Sequence, residues 1–246
     1  MNYSPLAQFD VICIIPFFWW GTYEISLTNL SLTVIIVLIF GSFILYIFFN
    51  EQLIPRNWQI ALEFLFLFIF RIIKQQAGNE GLIYFPLIFS LFTFILFLNL
   101  FSLLPYGFAV TSHLIWTLYF SLSLCLGIFL VGIFKYQIKF LKLFVPEVPL
   151  FLYPMMIVLE LLSYIIRSFS LAIRLTANII AGHTLVHILA SSIAMLCTVR
   201  SLIVVLPFLL LLAILILEIG IAFLQAYIFV ILFCMYLNDS LHIMEH

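Results

Sequence analysis

Long apolar runs, broken only by short polar stretches, dictate the solvent of this chain. Residues 30–49, 84–104 and 113–134 are each predominantly apolar. Runs of about 20 such residues cross a hydrocarbon core of about 30 Å as a helix. Only 8% of the 246 residues are charged and 67% are hydrophobic, against about 25% charged in an ordinary soluble domain. A transmembrane barrel needs short alternating strands, and these runs are long and unbroken. The expected fold class is therefore an all-α polytopic membrane protein, forming a single membrane domain over 1–246. About five membrane-crossing helices are expected, with one interfacial amphipathic helix and the last two crossings forming a long, steeply tilted hairpin.

Taken in order, residues 1–29 form an N-terminal segment in which Trp19, Trp20 and Tyr23 suit a membrane interface. The first span, 30–49, is stopped by Asn50, Glu51, Pro55 and Arg56. The next apolar stretch, 57–74, is flanked by Arg56 and Lys74 and holds Glu63 and Arg71, so it reads as a helix lying at the interface. A polar loop, QQAGNEG, leads into a helical hairpin over 84–134, punctuated by Pro105 and Gly107. Asn99 lies inside its first arm, where an amide wants a partner across helices. The following connector carries Lys135, Lys139, Lys142, Pro146 and Pro149. Positive charge collects on the inner side of a membrane, which places this connector and residues 50–81 inside and the N-terminus outside; two further crossings return the C-terminus to the inside.

The final hairpin, 151–240, is too long for its membrane. No proline interrupts residues 155–200, and a helix of about 45 residues would be roughly 68 Å long. Ordinary tilt is about 20°, so such a helix must lean steeply, kink (Gly182 is the obvious place) or do both. Residues 202–237 repeat the excess, at roughly 54 Å. Two overlong helices in succession imply a slanted pair set against a partner.

The first arm also carries groups that are costly at membrane depth. Glu160, Ser163, Arg167, Ser170, Arg174 and Asn178 fall within an arc of about 80° on a helix. Ser163, Ser170, Ala177 and Ala181 make a row of small residues beside Arg174, the kind of surface that lets another helix approach closely. A guanidinium stays charged wherever the fold puts it. The second arm carries Glu218 and Gln225 on one face and ends in Asn238 and Asp239. With a turn at Arg200–Ser201, antiparallel residues at equal depth have numbers adding to about 400. Glu160 then meets Asp239, Arg174 meets Gln225, and His183 meets Glu218, in three polar layers.

Blander uses remain open for each residue. Arg174 could pair with a carboxylate of its own chain, Glu160 could be an interfacial residue, and Arg167 could snorkel to lipid headgroups. His183 and His187 are one turn apart, so they could hold a metal such as Zn²⁺ or act as a proton relay. The C-terminal HxxEH string (His242, Glu245, His246) has no scaffold around it and reads as coincidence. No GxxxxGK[ST] or GxGxxG is present, so a nucleotide site in this chain is not expected. A net charge of −1 gives no case for nucleic acid. The four cysteines are dispersed and read as small apolar residues. On residues alone, a standalone proton-coupled secondary transporter and a structural subunit of a respiratory complex both remain open. The first would show internal repeats, and no clear one is present.

The stretches SFSLAIRLTANIIAGHTLVHIL and EIGIAFLQAYIFVILFCMYLND resemble subunit a of F-type ATP synthases, the stator part of the proton channel. LNLFSLLPYGF (98–108), PEVPLFLYP (146–154), IRLTAN (173–178) and LQAY (224–227) occur in that family's order, and YSPLAQFD near the start is similar to its mitochondrial members. The resemblance implies proton translocation in the Fo sector of an ATP synthase, with no cofactor. Its expected partners are the c-subunit ring, peripheral-stalk and other Fo subunits, lipids such as cardiolipin, and a second complex in a dimer. The family's essential arginine matches Arg174, which would separate two half-channels and face the ring carboxylate. Asn178, His183, His187, Glu218, Gln225, Glu160 and Asp239 would line the proton path. The His183 and Glu218 arrangement is similar to mitochondrial subunits, implying a multi-pass protein of the mitochondrial inner membrane. Its N-terminus would face the intermembrane space and its C-terminus the matrix. Two departures stand out: Ser168 replaces a frequent proline after Arg167, and PEVP replaces the usual glycine of the proline-rich connector.

Overall fold

The computed structural model describes residues 7–19, 23–49, 57–104, 107–137, 153–197 and 204–241. Several expected features lie outside them: Trp20, the stop at Asn50, Glu51, Pro55 and Arg56, Pro105, the connector with Lys139, Lys142, Pro146 and Pro149, the turn at Arg200–Ser201, and the HxxEH string.

Six α-helices account for most of the described chain: α1 (Asn29–Phe49), α2 (Asn57–Gln76), α3 (Phe85–Ser102), α4 (Leu114–Tyr136), α5 (Tyr153–Cys197) and α6 (Val205–Leu241). The helical turn Glu80–Tyr84 leads directly into α3. This segment with α3, and α4, α5 and α6, are long and apolar enough to cross a membrane, and α1 contributes a shorter apolar helix, Asn29–Ile44. The protein is thus an all-α polytopic membrane protein apart from one hairpin. That hairpin pairs β1 (Cys13–Trp19) with β2 (Tyr23–Thr28) in antiparallel register, Pro16 opposite Ser26. The signal was present in the alternation of Glu24, Ser26 and Thr28 with Ile25 and Leu27, and in the β-branched and aromatic residues of β1. Pro16 is tolerated because a two-stranded ribbon consists only of edges.

The chain divides into two compact units, and α3, α5 and α6 each contribute to both. One unit holds residues 1–45, 93–114 and 175–226. Val37, Ile95, Leu96, Leu98, Ile179, Ala222 and Ala226 are buried there. Phe40 of α1 packs edge-on against Phe97 and Phe101 of α3, at 5.2 Å and 5.9 Å between centroids. The N-terminal hairpin is fastened to the head of α1 through Asn29, whose backbone N–H donates to the Ile12 carbonyl at 3.2 Å.

The other unit holds residues 46–92, 115–174 and 227–246. In α2, Ile69, Ile72 and Ile73 are buried at the i, i+3, i+4 spacing of one helical face, while Glu63, Arg71 and Lys74 are exposed. That is the amphipathic pattern expected of an interfacial helix, extended by two residues beyond 74. Phe66 packs against Phe85 at 4.6 Å, and Phe68 against Phe92 and Tyr227 at 6.3 Å and 5.7 Å. Along α4, Ile115, Tyr119, Leu126, Leu130 and Phe134 form an exposed apolar stripe. At one end of this unit Lys135 Nζ pairs with Glu80 at 2.5 Å, and the Tyr136 hydroxyl donates to the Leu241 carbonyl. The end of α4, the approach to α3 and the end of α6 therefore meet, as helices of alternating direction require. Lys135 Nζ also lies 3.5 Å from the Leu241 carbonyl, where a cation complements a helix C-terminus.

Candidate functional site

In the unit that holds residues 115–174, α5 carries Glu160, Arg167 and Arg174. A buried row of α5 there includes Ser168, Leu171 and Ala172, and α4 reaches it at Ser168. Ser121 Oγ donates to the Ser168 carbonyl at 3.2 Å, and the Tyr164 hydroxyl donates to the Cys125 carbonyl at 3.2 Å. Ser168, which stands where a proline is frequent in the family, keeps the backbone N–H that a proline would lack, and its carbonyl accepts this helix–helix contact. The neighbouring row, with Arg167, Ser170 and Arg174, is exposed. Glu160 is partly exposed. Among the described residues Arg174 makes no ion pair.

Arg167 does have a partner within the chain. Its guanidinium lies 3.9 Å from Asp239 and over the Tyr236 ring at 5.6 Å. Asp239 was expected opposite Glu160, and the pair formed is instead with Arg167. Side chains lean toward the N-terminus of their own helix. In an antiparallel pair, Arg167 leans down α5 while Asp239 leans up α6, so the two converge across an offset that Cα positions alone would not bridge. The backbone register itself follows the expectation in this unit, since Tyr164 faces Tyr236 at 6.1 Å between centroids. The Arg167 side chain remains 44% exposed, so this contact is compatible with the snorkelling use.

The unit that holds residues 175–226 contains Asn178, His183, His187, Glu218 and Gln225. Ala177 and Ala181 are exposed, continuing the small-residue row of α5. Asn178 is partly buried and Gln225 is buried. Arg174 and Gln225, the expected middle layer, belong to different units. Glu218 is buried, and it reaches α5 at Gly182. A Cβ on Gly182 would sit 2.6 Å from Glu218 Oε1, 3.1 Å from Cδ and 3.4 Å from Cγ. The expected depth match between Glu218 and the His183 region is therefore present. Gly182, read from sequence as a kink point, makes room for a carboxylate inside an unbroken helix.

Among the described residues, Glu218 Oε1 and His183 Nε2 are both buried without a hydrogen-bond partner. The same holds for both amide atoms of Asn99 and for Thr111 Oγ1 in the same unit. A buried polar atom left unsatisfied costs about 1–3 kcal/mol, so groups of this kind mark places for water or for a mobile proton. Thr111 was not singled out in the sequence; its signal is the uncharged polar string Thr111, Ser112, His113 between two spans. His183 is also met by Phe9 from the N-terminal segment, edge-on at 6.2 Å. His187, one turn further on, is exposed. Among the described residues no three His, Cys, Asp or Glu side chains gather as a metal site. His183 and His187 would supply only half of a tetrahedral zinc set.

Chemically, α5 presents an exposed fixed cation, Arg174, in one unit, and α5 with α6 holds two titratable groups, His183 and Glu218, with buried polar atoms in the other. Comparison with known proteins gives this arrangement a family. Residues 30–238 match the family model described as ATP synthase A chain. ATP synthase subunit a of Acanthamoeba castellanii is 44% identical over 242 residues, covering 97% of this chain and 98% of that protein. The subunit a of Chondrus crispus is 42% identical, covering 97% and 96% respectively. That of Pelagibacter ubique (strain HTCC1062) is 39% identical, covering 99% of both. The chain belongs to the ATP synthase A chain family, as the proton-translocating, multi-pass membrane subunit of the Fo sector that works with the c-ring.

Proposed function

We propose that two offset half-channels carry protons to and from the ring carboxylate and that Arg174 separates them. The carrying observation is the exposure of Arg174, without an ion pair among the described residues, in a row with Ser170, Ala177 and Ala181. A permanent cation at membrane depth calls for a counter-charge, and the small row leaves space for a ring helix to bring one past.

On the outer side, His183 and Glu218 pass protons inward, with Asn178 and Gln225 lining the way and His187 as a relay. Burial of His183 Nε2 and Glu218 Oε1 without hydrogen-bond partners among the described residues supports this assignment. A ring carboxylate that takes the proton turns toward lipid as a neutral acid. When it comes round to Arg174, the guanidinium favours its charged form and the proton leaves. Glu160 and Asp239 receive it on the inner side. The same guanidinium repels protons and blocks a direct leak between the two paths. The membrane potential contributes about 2.3 kcal/mol per charge per 100 mV. ATP chemistry belongs to other subunits.

The membrane we infer is the mitochondrial inner membrane, with the N-terminus in the intermembrane space and the C-terminus in the matrix. Positive charge at Lys135, which pairs with Glu80, and at Arg71 and Lys74 of α2 falls on the inner side by the positive-inside rule, which supports this orientation. Peripheral-stalk and other Fo subunits, cardiolipin and a dimer partner complete the proposed surroundings. Arg174→Ala tests the assignment: proton-driven ATP synthesis is lost in an assembled complex, and normal synthesis would overturn it.

A further inference from the structure

The N-terminal segment reaches the proposed outer proton path at one residue. Phe9 ends the helical turn Ala7–Phe9, and its ring stands edge-on to His183 with centroids 6.2 Å apart and planes at 83°. Both rings are partly buried, and Nε2 of His183 has no hydrogen-bond partner among the described residues. The approach of Phe9 is fixed from the other direction. Asn29 Nδ2 donates to the Asp10 carbonyl at 3.1 Å, and Asn29 Oδ1 accepts from the Ile12 N–H at 3.2 Å. The same Oδ1 accepts from the Leu30 N–H at 3.0 Å, at the start of α1. One side chain therefore binds the chain on both sides of Val11 to the head of α1, immediately after Phe9. All of these residues lie in one compact unit.

We propose that Phe9 is a positioning residue for proton entry: held by the Asn29 clamp, its ring walls one side of the His183 imidazole and fixes that imidazole's orientation. A phenyl ring offers neither donor nor acceptor. It excludes water from the side it covers and leaves the imidazole nitrogens to exchange protons elsewhere. The titratable groups on the elements gathered here are Glu218 on α6, next to Gly182, His187 on α5, and Asp10 beside Phe9. The inference deepens the outer-path role proposed for His183 and rests on it.

The test uses the whole complex in sealed vesicles, with variants Phe9→Ala, Phe9→Tyr, Asn29→Ala and His183→Gln. Carbethoxylation of His183 by diethylpyrocarbonate is followed peptide by peptide in a mass spectrometer, with His187 as the reference. Synthesis rate is measured against outer proton concentration in the same preparations. Phe9→Ala raises the His183 reaction rate at least about threefold and shifts the half-saturating outer proton concentration by at least about threefold, with the maximal rate largely kept. Phe9→Tyr restores both, and Asn29→Ala moves both in the direction of Phe9→Ala. If Phe9→Ala does not assemble, Asn29→Ala gives the decision, because it keeps the ring and removes only the clamp. Unchanged labelling and an unchanged proton dependence overturn the proposal. A His183→Gln complex with full rate and an unaltered proton dependence overturns the His183 reading beneath it. Loss of rate in His183→Gln with no change in Phe9→Ala or Asn29→Ala overturns the role of Phe9 alone.

Discussion

Gly182→Ala adds one methyl group where α5 meets the Glu218 carboxylate. The new Cβ would lie 2.6 Å from Oε1, inside the 3.4–4 Å of ordinary contact. The crowding continues at Cδ, 3.1 Å away, while Cγ at 3.4 Å reaches ordinary contact. Rotating only the terminal carboxylate moves the oxygens and leaves Cδ tight against the methyl. Moving the side chain off its preferred rotamer costs about 0.5–1.5 kcal/mol, and overpacking of this kind costs about 1–3 kcal/mol in general. Alanine returns about 1 kcal/mol of helix propensity relative to glycine. Net destabilisation is thus about 0–2 kcal/mol, and the complex is expected to assemble. Function suffers more, because a displacement of about 1 Å in a proton-exchanging group can cost up to about a hundredfold in rate. The assay is proton-driven ATP synthesis in vesicles, normalised to assembled complex on a native gel. Gly127→Ala is the control, since a Cβ there meets nothing within 4 Å. An assembled Gly182→Ala complex that synthesises ATP at the unaltered rate refutes the claim that Glu218 is held against α5 for proton transfer.

Exchanging the identities of His183 and Glu218 retains more synthesis than either single loss; a double exchange no better than the singles shows that they do not act together. Arg167→Gln lowers stability by about 0.5–1 kcal/mol, since its ion pair and ring contact are half-exposed and weak; thermal dissociation of the complex reads this, and a loss of several kcal/mol would contradict it. Lys135→Ala with Tyr136→Phe frees the Leu241 carbonyl, so hydrogen exchange at the last turn of α6 rises while the middle of α6 is unaffected; unchanged exchange at that turn would show that the two side chains do not hold it.

Most of the helical architecture is legible in the sequence because its cause is local. Hydropathy marks α1, α3, α4, α5 and α6, and α2 betrays itself by placing Ile69, Ile72 and Ile73 opposite Arg71 and Lys74. Equal-depth numbering also anticipates the contacts of Tyr164 with Tyr236 and of Gly182 with Glu218. It does not anticipate the pairing of Arg167 with Asp239, because numbering tracks the backbone while these two meet through the lean of their side chains. The hairpin of β1 and β2 escapes notice because aromatic residues near an apolar span read as an interfacial anchor. Phe9 against His183 has no local signal at all: the two are brought together by the tertiary fold and by the Asn29 clamp. Gly182 illustrates a different limit, since a glycine in a long helix reads equally well as a kink or as clearance for a neighbour.

The central claim is that Arg174 keeps two proton paths apart while coupling each to the rotor. Passive proton flux across vesicles holding the assembled complex, with the ring cross-linked to this chain so that it cannot turn, tests it most directly. The account predicts negligible flux with Arg174 in place and a clear leak in Arg174→Ala. A locked Arg174→Ala complex as tight as the unaltered one, together with normal synthesis by the unlocked variant, would contradict it.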